Sequence, residues 1–462
     1  MKNKKIIISI VALLLISIMM SSCMLFSYEF PEFDNAGNTD DVNDPMDNDP
    51  PKTSDDDNTL SPDVNINGVS LASAYINDDG ELILVYTNGQ TQNLGVVVGN
   101  DGKDGVVSGD INVDISGTGA DISAAVSKAI RSVVSISCAF KVSSLFNTSY
   151  NYSSGSGVIY DIDKATGNAF IITNYHVVYD EECTNKNGIS DDIDIYLYGA
   201  EYSNLSIPAT FVGGSANYDL AVLYVEGSDL LKSAVYDEVE LADSSNVVVG
   251  DVAIAIGNPE GEGISATSGI VSVDSEFINV DIGSTIELRV MRVDTPVNPG
   301  NSGGGLFDKN GKLIGIVNAK TTGSDNIGYA IPSNITKGVA QNIIDHCFNT
   351  SKTSVQRPLL GVTIVPTSSS AVYNDEGKVV IEEKIQIDSV ENGSIAYGKL
   401  KSGDIIKSVK IGTEEVIVTR QFHVIDFMLN ARVGDVVYTT VERGGTDVVV
   451  EIVITQACIT EY

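Results

Sequence analysis

From about residue 119 onward the chain alternates short apolar runs with turn-forming residues. "SVVSISCAF", "GSGVIYD", "AFIITN", "IDIYLYG", "LAVLYV", "VAIAIG", "GIVSVD", "ELRVMRVD", "KLIGIVNA" and "IGYAI" are rich in Val, Ile and Tyr and are bounded by Gly, Asn or Asp, the pattern of β-strands. Two stretches have helical spacing instead: "DISAAVSKAIRS", with Asp121 or Ser123 as cap, and "SNITKGVAQNIIDHCF". Many strands, Gly-containing turns and only a terminal helix predict antiparallel barrels or sandwiches and exclude an α/β-hydrolase. Upstream, "ASAYINDDGELILVYTNGQTQNLGVVVG" predicts a three-stranded meander, and "GNDGKDG" a loop or hinge with too few glycines for a triple helix. Downstream, "RPLLGVTIV", "IQIDSVENGSIAYGKLKSGDIIKSV" and "FHVIDFMLNARVGDVVYTTVERGGTDVVVEIVI" predict strands, one short helix and a closing strand pair.

The N-terminal region has another pattern. Lys2, Lys4 and Lys5 precede the apolar run "IIISIVALLLISIMM", and "MSSC" ends it at Cys23. That run is short and flanked as an export signal. "MSSC" resembles the lipobox of bacterial lipoproteins, with Met20 where Leu is usual, which implies removal of residues 1–22 and acylation of Cys23. An uncleaved anchor is the alternative, and both put the rest of the chain outside the cytoplasm. Residues 23–62, with "DNAGNTDDVNDPMDNDPPKTSDDDN", have almost nothing to bury and predict a disordered acidic tether.

Composition narrows the chemistry. The 462 residues carry 28 basic and 62 acidic side chains, a net charge of -34, so a nucleic-acid partner is excluded on electrostatic grounds. Cys138, Cys183, Cys347 and Cys458 form no CxxC pair and no cluster with His, which argues against a structural zinc site. An exported chain permits disulfides, and four cysteines allow three pairings, which sequence does not choose between; isolated thiols are the alternative.

"TPVNPGNSGGG", residues 295–305, surrounds Ser302 with residues that give up side chains. A plain turn would account for it, but glycine runs also occur where backbone must approach something closely. A nucleophilic serine needs a base, and the chain has three histidines: His346 in the terminal helix, His423 near the C-terminus, and His176 in "IITNYHVV", just past a strand end. A lone histidine is commonly structural. Asp219 in "ANYDLAVLYV" opens an apolar run; it is either a strand-entry cap or an acid that fixes an imidazole tautomer.

His176, Asp219 and Ser302 in that order resemble the chymotrypsin-like serine proteases, and more narrowly the high-temperature-requirement A (HtrA) family. "TNYHVV", "DLAVL" and "NPGNSGG" match its three motifs, with "GSGVI", "GNP" and "TSGIVS" at matching intervals. The resemblance implies a mostly β chain with two six-stranded antiparallel β-barrels, chymotrypsin-like, over 119–352. A PDZ-like β-rich domain follows at 357–456; the tether and the meander, with its hinge at 63–118, come before. It implies His176 as base, Asp219 as its partner, Ser302 as nucleophile, and an oxyanion hole at Gly300, Asn301 and Ser302. In the PDZ domain "LLGV" would hold a peptide C-terminus on the amides of Leu360, Gly361 and Val362.

Some positions depart from the family. Gly305 stands where proline is common, and "DTPVN" replaces the usual run ahead of the nucleophile. Pro296, six before Ser302, leaves no acid for a trypsin-like pocket, so cleavage after small or medium apolar residues is implied, with Val297, Asn318 and Ala319 as candidate pocket residues. "SVENGSIAYG" is a looser match to the PDZ turn. The expected protein is a lipid-anchored extracytoplasmic serine endopeptidase acting on unfolded polypeptides, with no metal or organic cofactor. C-terminal peptides at the PDZ domain and a homotrimer are implied by resemblance alone. The alternative is a largely inactive protease-fold chaperone or PDZ-based binding protein.

Overall fold

The computed structural model describes residues 71–77, 81–86, 89–96, 122–143, 147–185, 187–200, 205–318 and 327–462. The leader, Cys23, the tether, the "GNDGKDG" loop, Asp121 and Ala319 lie outside the described residues. The chain divides into two compact units, Met1–Asp110 and Ile111–Tyr462. The first contains the expected meander: β1 (Leu71–Ile76), β2 (Glu81–Tyr86) and β3 (Thr91–Val96) pair antiparallel in sequence order. The Asn77 side chain accepts from the Glu81 N–H at 2.9 Å, so the turn chemistry read from "NDDG" begins at this asparagine.

The second unit opens with α1 (Ile122–Ala129), whose Ala125 and Ala129 are buried. β4 (Val133–Ser143), β5 (Thr148–Asp163), β6 (Asn168–Thr173), β7 (Asp192–Leu197), β8 (Ile207–Ser215) and β9 (Leu220–Val225) then form a closed barrel in the order β4-β5-β6-β9-β8-β7. Its core holds Ile136, Ile159, Ile171, Ile195 and Leu223. These β-branched and leucyl side chains come from the inward-facing positions of the runs seen in sequence. Between β6 and β9 the chain inserts the one-turn helix α2 (Tyr175–Val178).

Six further strands follow: β10 (Val252–Gly257), β11 (Ser265–Asp281), β12 (Thr285–Val293), β13 (Gly305–Phe307), β14 (Leu313–Asn318) and β15 (Gly328–Pro332). Here the expectation of two six-stranded antiparallel β-barrels is corrected. The sheet is bonded into a ring in the order β10-β11-β12-β15-β14-β13, but it does not repeat the regular barrel before it. β13 has three residues, pairs with β10 at three positions, and shifts register against β14. β12 and β15 also pair at three positions, whereas β11 and β12 run on as a long hairpin with two register shifts. The cause is local: the glycine-rich turn occupies the chain up to Gly304, which leaves little of it for a strand, and the register shifts bend the long pair out of the ring.

The helix α3 (Ser333–Cys347) packs between the two sheets and the C-terminal module, and its Ile335, Val339 and Ile343 join one core with Val222, Ile316 and Leu429. After it, β16 (Gln356–Pro358) precedes β17 (Val362–Tyr373), β18 (Val379–Val390), β19 (Ile405–Ile411) and β20 (Glu414–Ile417). The helix α4 (Gln421–Phe427) leads to β21 (Val436–Arg443), β22 (Thr446–Val453) and β23 (Ile459–Glu461). The sheet order is β17-β18-β19-β21-β22, with β20 on β19. β23 returns to pair with β16, so the tail beyond residue 456 straps onto the segment that joins module to helix.

The C-terminal module is held on the rest of this unit by charges as well as by Leu429. Arg289 on β12 and Asp426 on α4 form an ion pair in which both side chains are buried. Arg420 reaches Asp274 at 2.6 Å, and Phe422 lies beneath both guanidinium groups, 4.3 Å from Arg289 and 4.9 Å from Arg420. Removing one partner of a buried pair strands the other charge in a poor solvent. Asp426→Ala should therefore lose about 3–5 kcal/mol in denaturant unfolding. The double variant Arg289→Met, Asp426→Leu should recover most of that loss, and an equal loss in both would show that the pair is not the cause.

Candidate active site

His176 sits in α2, directly after the barrel strand β6. Val177 and Val178 are buried in the first core, so the helix is pinned by its apolar side and the imidazole is left partly accessible, its side chain 14% exposed. Asn174, fully buried, donates from its side chain to the Asp219 carbonyl at 2.8 Å. The two segments are thereby joined before the histidine and the acid meet.

Asp219 ends the turn Ala216–Tyr218 ahead of β9, in the left-handed conformation with φ 48° and ψ 42°. Among the described residues only Asn349 shares a positive φ without being glycine, and both are of the short polar type that tolerates it. The conformation turns the carboxylate toward α2. Oδ1 accepts the His176 main-chain N–H at 3.0 Å, and Oδ2 lies 2.7 Å from His176 Nδ1. Oδ2 also accepts from the Asn318 side chain at 2.8 Å, across from β14 of the second sheet. A carboxylate so placed holds Nδ1 protonated and leaves Nε2 as the basic nitrogen.

Ser302 lies in the turn between β12 and β13, with Asn301 and Ser302 both buried. The glycines around it are explained by close approach. Gly303 has φ +85°, and a Cβ there would overlap the Ser156 carbonyl oxygen and the Thr173 hydroxyl and come within 3.1 Å of the Asn174 N. The Ser302 turn thus abuts the segment that leads into His176. Gly300 has φ +98°. Among the described residues its N–H donates to no main-chain carbonyl, whereas the Asn301 N–H turns back to Asn298 O at 3.0 Å. His176 and Asp219 are thus in direct hydrogen-bond contact, and the turn that carries Ser302 packs against the segment just ahead of His176. A cavity of about 450 Å³ opens beside His176, lined in part by Tyr152, Tyr179 and Glu181.

Other residues singled out in the sequence fall elsewhere. Asn318 faces Asp219, a role that the strand pattern did not reveal because it marks the position as interior without saying what it meets. Val297 packs beside the core of the second sheet. His346 and His423 lie in α3 and α4, and burial lowers the pKa of each. The four described cysteines are free thiols, and burial pushes Cys138 up to about 12. Among the described residues no cluster of His, Cys, Asp and Glu is arranged to hold a metal. Leu360, Gly361 and Val362 lead into β17 and line a cavity of about 690 Å³ that continues along Gln421 and Val424 of α4 and Met428 just after it. Ser156, inside "GSGVI", and Thr173, the first residue of "TNYHVV", were present in the motifs but carried no assignment.

Residues 155–316 match the model of the trypsin-like peptidase domain. The chain is 31% identical over 366 residues to the serine protease Do-like HtrA of Lactococcus lactis subsp. cremoris, covering 72% of this chain and 82% of that one. It is 32% identical over 332 residues to the Do-like HtrA of Bacillus subtilis, covering 68% of each. The periplasmic pH-dependent serine endoprotease DegQ of Escherichia coli is 34% identical over 261 residues, 55% of this chain and 50% of that one. Among solved structures, the HtrA-type protease AlgW with decapeptide aligns at a TM-score of 0.44 and 27% identity, covering 72% of this chain and 98% of that one. With a relative of that identity matched over four fifths of its length, the chain belongs to the HtrA family of Do-like serine proteases and is a serine endopeptidase.

Proposed function

We propose that Ser302, His176 and Asp219 are the catalytic triad, and the observation that carries this reading is the buried Asp219 carboxylate with one oxygen on each nitrogen donor of His176. His176 Nε2 takes the Ser302 hydroxyl proton as Oγ bonds to the scissile carbonyl carbon, and the carbonyl π electrons move to oxygen. Asp219 stabilises the imidazolium through its hydrogen bond to Nδ1. The N–H groups of Gly300 and Ser302, with Asn301 between them, receive the oxyanion. Collapse expels the amine with the proton from His176, and water repeats the sequence on the acyl-enzyme.

The substrates we assign are unfolded polypeptides outside the cytoplasm, cleaved in protein quality control. The export-type leader with its lipobox-like "MSSC" supports this location, as does the periplasmic relative. We assign residues 1–22 as leader, 23–62 as tether, 63–118 as meander and hinge, 119–352 as protease and 357–456 as a PDZ domain; a homotrimer is part of the same reading. The groove between Leu360–Ile364 and α4 would take a peptide C-terminus, its carboxylate on the amides of Leu360, Gly361 and Val362.

Three outcomes test these assignments. Ser302→Ala and His176→Ala should each lower casein hydrolysis by about 10⁴-fold or more, and Asp219→Asn by about 10⁴-fold through the wrong tautomer. A fluorophosphonate should label Ser302 in the wild type; an unlabelled, folded enzyme would favour the inactive chaperone instead. Cys23→Ala should abolish partition into a detergent phase if acyl chains supply about 0.8 kcal/mol per buried methylene, and unchanged partition would favour an uncleaved anchor.

A further outcome concerns α4. Gln421, Val424, Ile425 and Met428 line the groove, while Phe422 and Asp426 on the same helix meet Arg289 of the protease. A peptide with a free apolar C-terminus should therefore change the turnover of the full-length protein at saturation, and an inhibitor at Ser302 should change peptide affinity by a matching factor. Turnover that stays flat across saturation would make the module a substrate tether alone.

A further inference from the structure

Ser156 lies on β5 of the first barrel and is completely buried. Its hydroxyl donates to the Gly300 carbonyl at 2.7 Å and accepts the Asn258 N–H at 2.8 Å. Its own N–H donates to the Ser302 carbonyl at 2.8 Å. One residue thus grips the carbonyls of the two residues whose N–H groups form the oxyanion site in the reading above. Its own carbonyl is fixed by the Thr173 hydroxyl at 2.7 Å, immediately before the His176 segment.

Each gripped carbonyl belongs to a peptide plane that is held at its other end too. The plane after Gly300 is tied by the Asn301 N–H to Asn298 O at 3.0 Å, and the plane after Ser302 by the Gly303 N–H to Val317 O at 3.0 Å. A peptide is planar, so fixing both ends fixes its rotation. The Gly300 N–H lies in the preceding plane, joined to the held one through the Gly300 Cα at φ +98°, so Ser156 anchors the plane next to the one that carries it. Glycine has almost no steric preference of its own that would restore this angle.

We propose that Ser156 is a positioning residue for peptide hydrolysis, its hydroxyl setting the oxyanion turn at Gly300. The main-chain half of the grip survives any substitution; the hydroxyl half requires serine or threonine. Ser156→Ala would leave the buried Gly300 carbonyl without this donor and release the plane next to the one that carries the Gly300 N–H. The loss should therefore appear in the transition state, where charge reaches the oxygen, and little in ground-state binding.

The proposal rests on Ser302 as nucleophile, and the full-length protein tests both separately. Wild type, Ser302→Ala, Ser156→Ala and Ser156→Thr are compared for kcat and KM on a peptide amide, for fluorophosphonate labelling, for inhibition by a peptidyl boronic acid and for melting temperature. Ser156→Ala should lower kcat about 10- to 100-fold, below the 10²- to 10³-fold typical of losing an oxyanion donor outright, with KM within about twofold. Boronate affinity should fall by the same factor as kcat/KM, labelling should slow, and Ser156→Thr should recover most of each. Wild-type rates in Ser156→Ala would overturn the proposal. So would a loss in which melting temperature falls and KM rises while boronate affinity holds, since that is a purely structural role. A wild type that is not labelled, or a fully active Ser302→Ala, would instead remove the reading of Ser302.

Discussion

The buried carboxylate of Asp219 is the constraint around which the protease is assembled. A fully buried acid is costly unless its oxygens are hydrogen-bonded, and here the donors come from different parts of the fold. His176 supplies its main-chain N–H and Nδ1 from α2, and Asn318 supplies its amide from β14. Satisfying one side chain therefore requires the first barrel to be closed and the second sheet to be docked against it. The left-handed turn at Asp219 adds a local cost, of order 1 kcal/mol, that this same set of bonds offsets.

The order His176, Asp219, Ser302 was legible because each residue lies in a short motif bounded by strand or turn chemistry. Their mutual geometry was not, because the segments are far apart in sequence and meet only through long-range pairing. Most strands were visible as apolar runs, and α1 and α3 as helical spacing. β13 was hidden, since three residues beside a glycine turn have no period to detect. The expectation of a second six-stranded barrel was corrected because short ladders and register shifts are properties of pairing, not of one strand's composition. β23 was missed because its partner, β16, lies about a hundred residues earlier.

Asn318 shows a different limit. Its strand "KLIGIVNA" marks it as interior, and the resemblance suggested the substrate pocket. The structure turns its amide to Asp219 Oδ2, the oxygen that already faces His176 Nδ1. The carboxamide donates to that oxygen without competing for the histidine proton. Sequence supplied the residue's burial, and only the packing of the two sheets supplied its partner.

The same logic of shared partners extends from the protease to the module. α4 is one short helix with two occupied faces, so its position is set jointly by whatever fills the groove along Val424 and by the Arg289 pair behind it. Arg289 and Asp426 also line, with Tyr218, a cavity of about 370 Å³ between module and protease. Tyr218 is the residue before Asp219, so the wall of that cavity is continuous with the turn that presents the acid. A rigid helix cannot move one face without the other, and close-packed interiors respond to such displacement by switching between arrangements rather than by yielding smoothly. The groove and the turn that presents Asp219 thus border one connected set of side chains, Phe422 and Asp426 on Arg289 and Tyr218 in the same cavity wall.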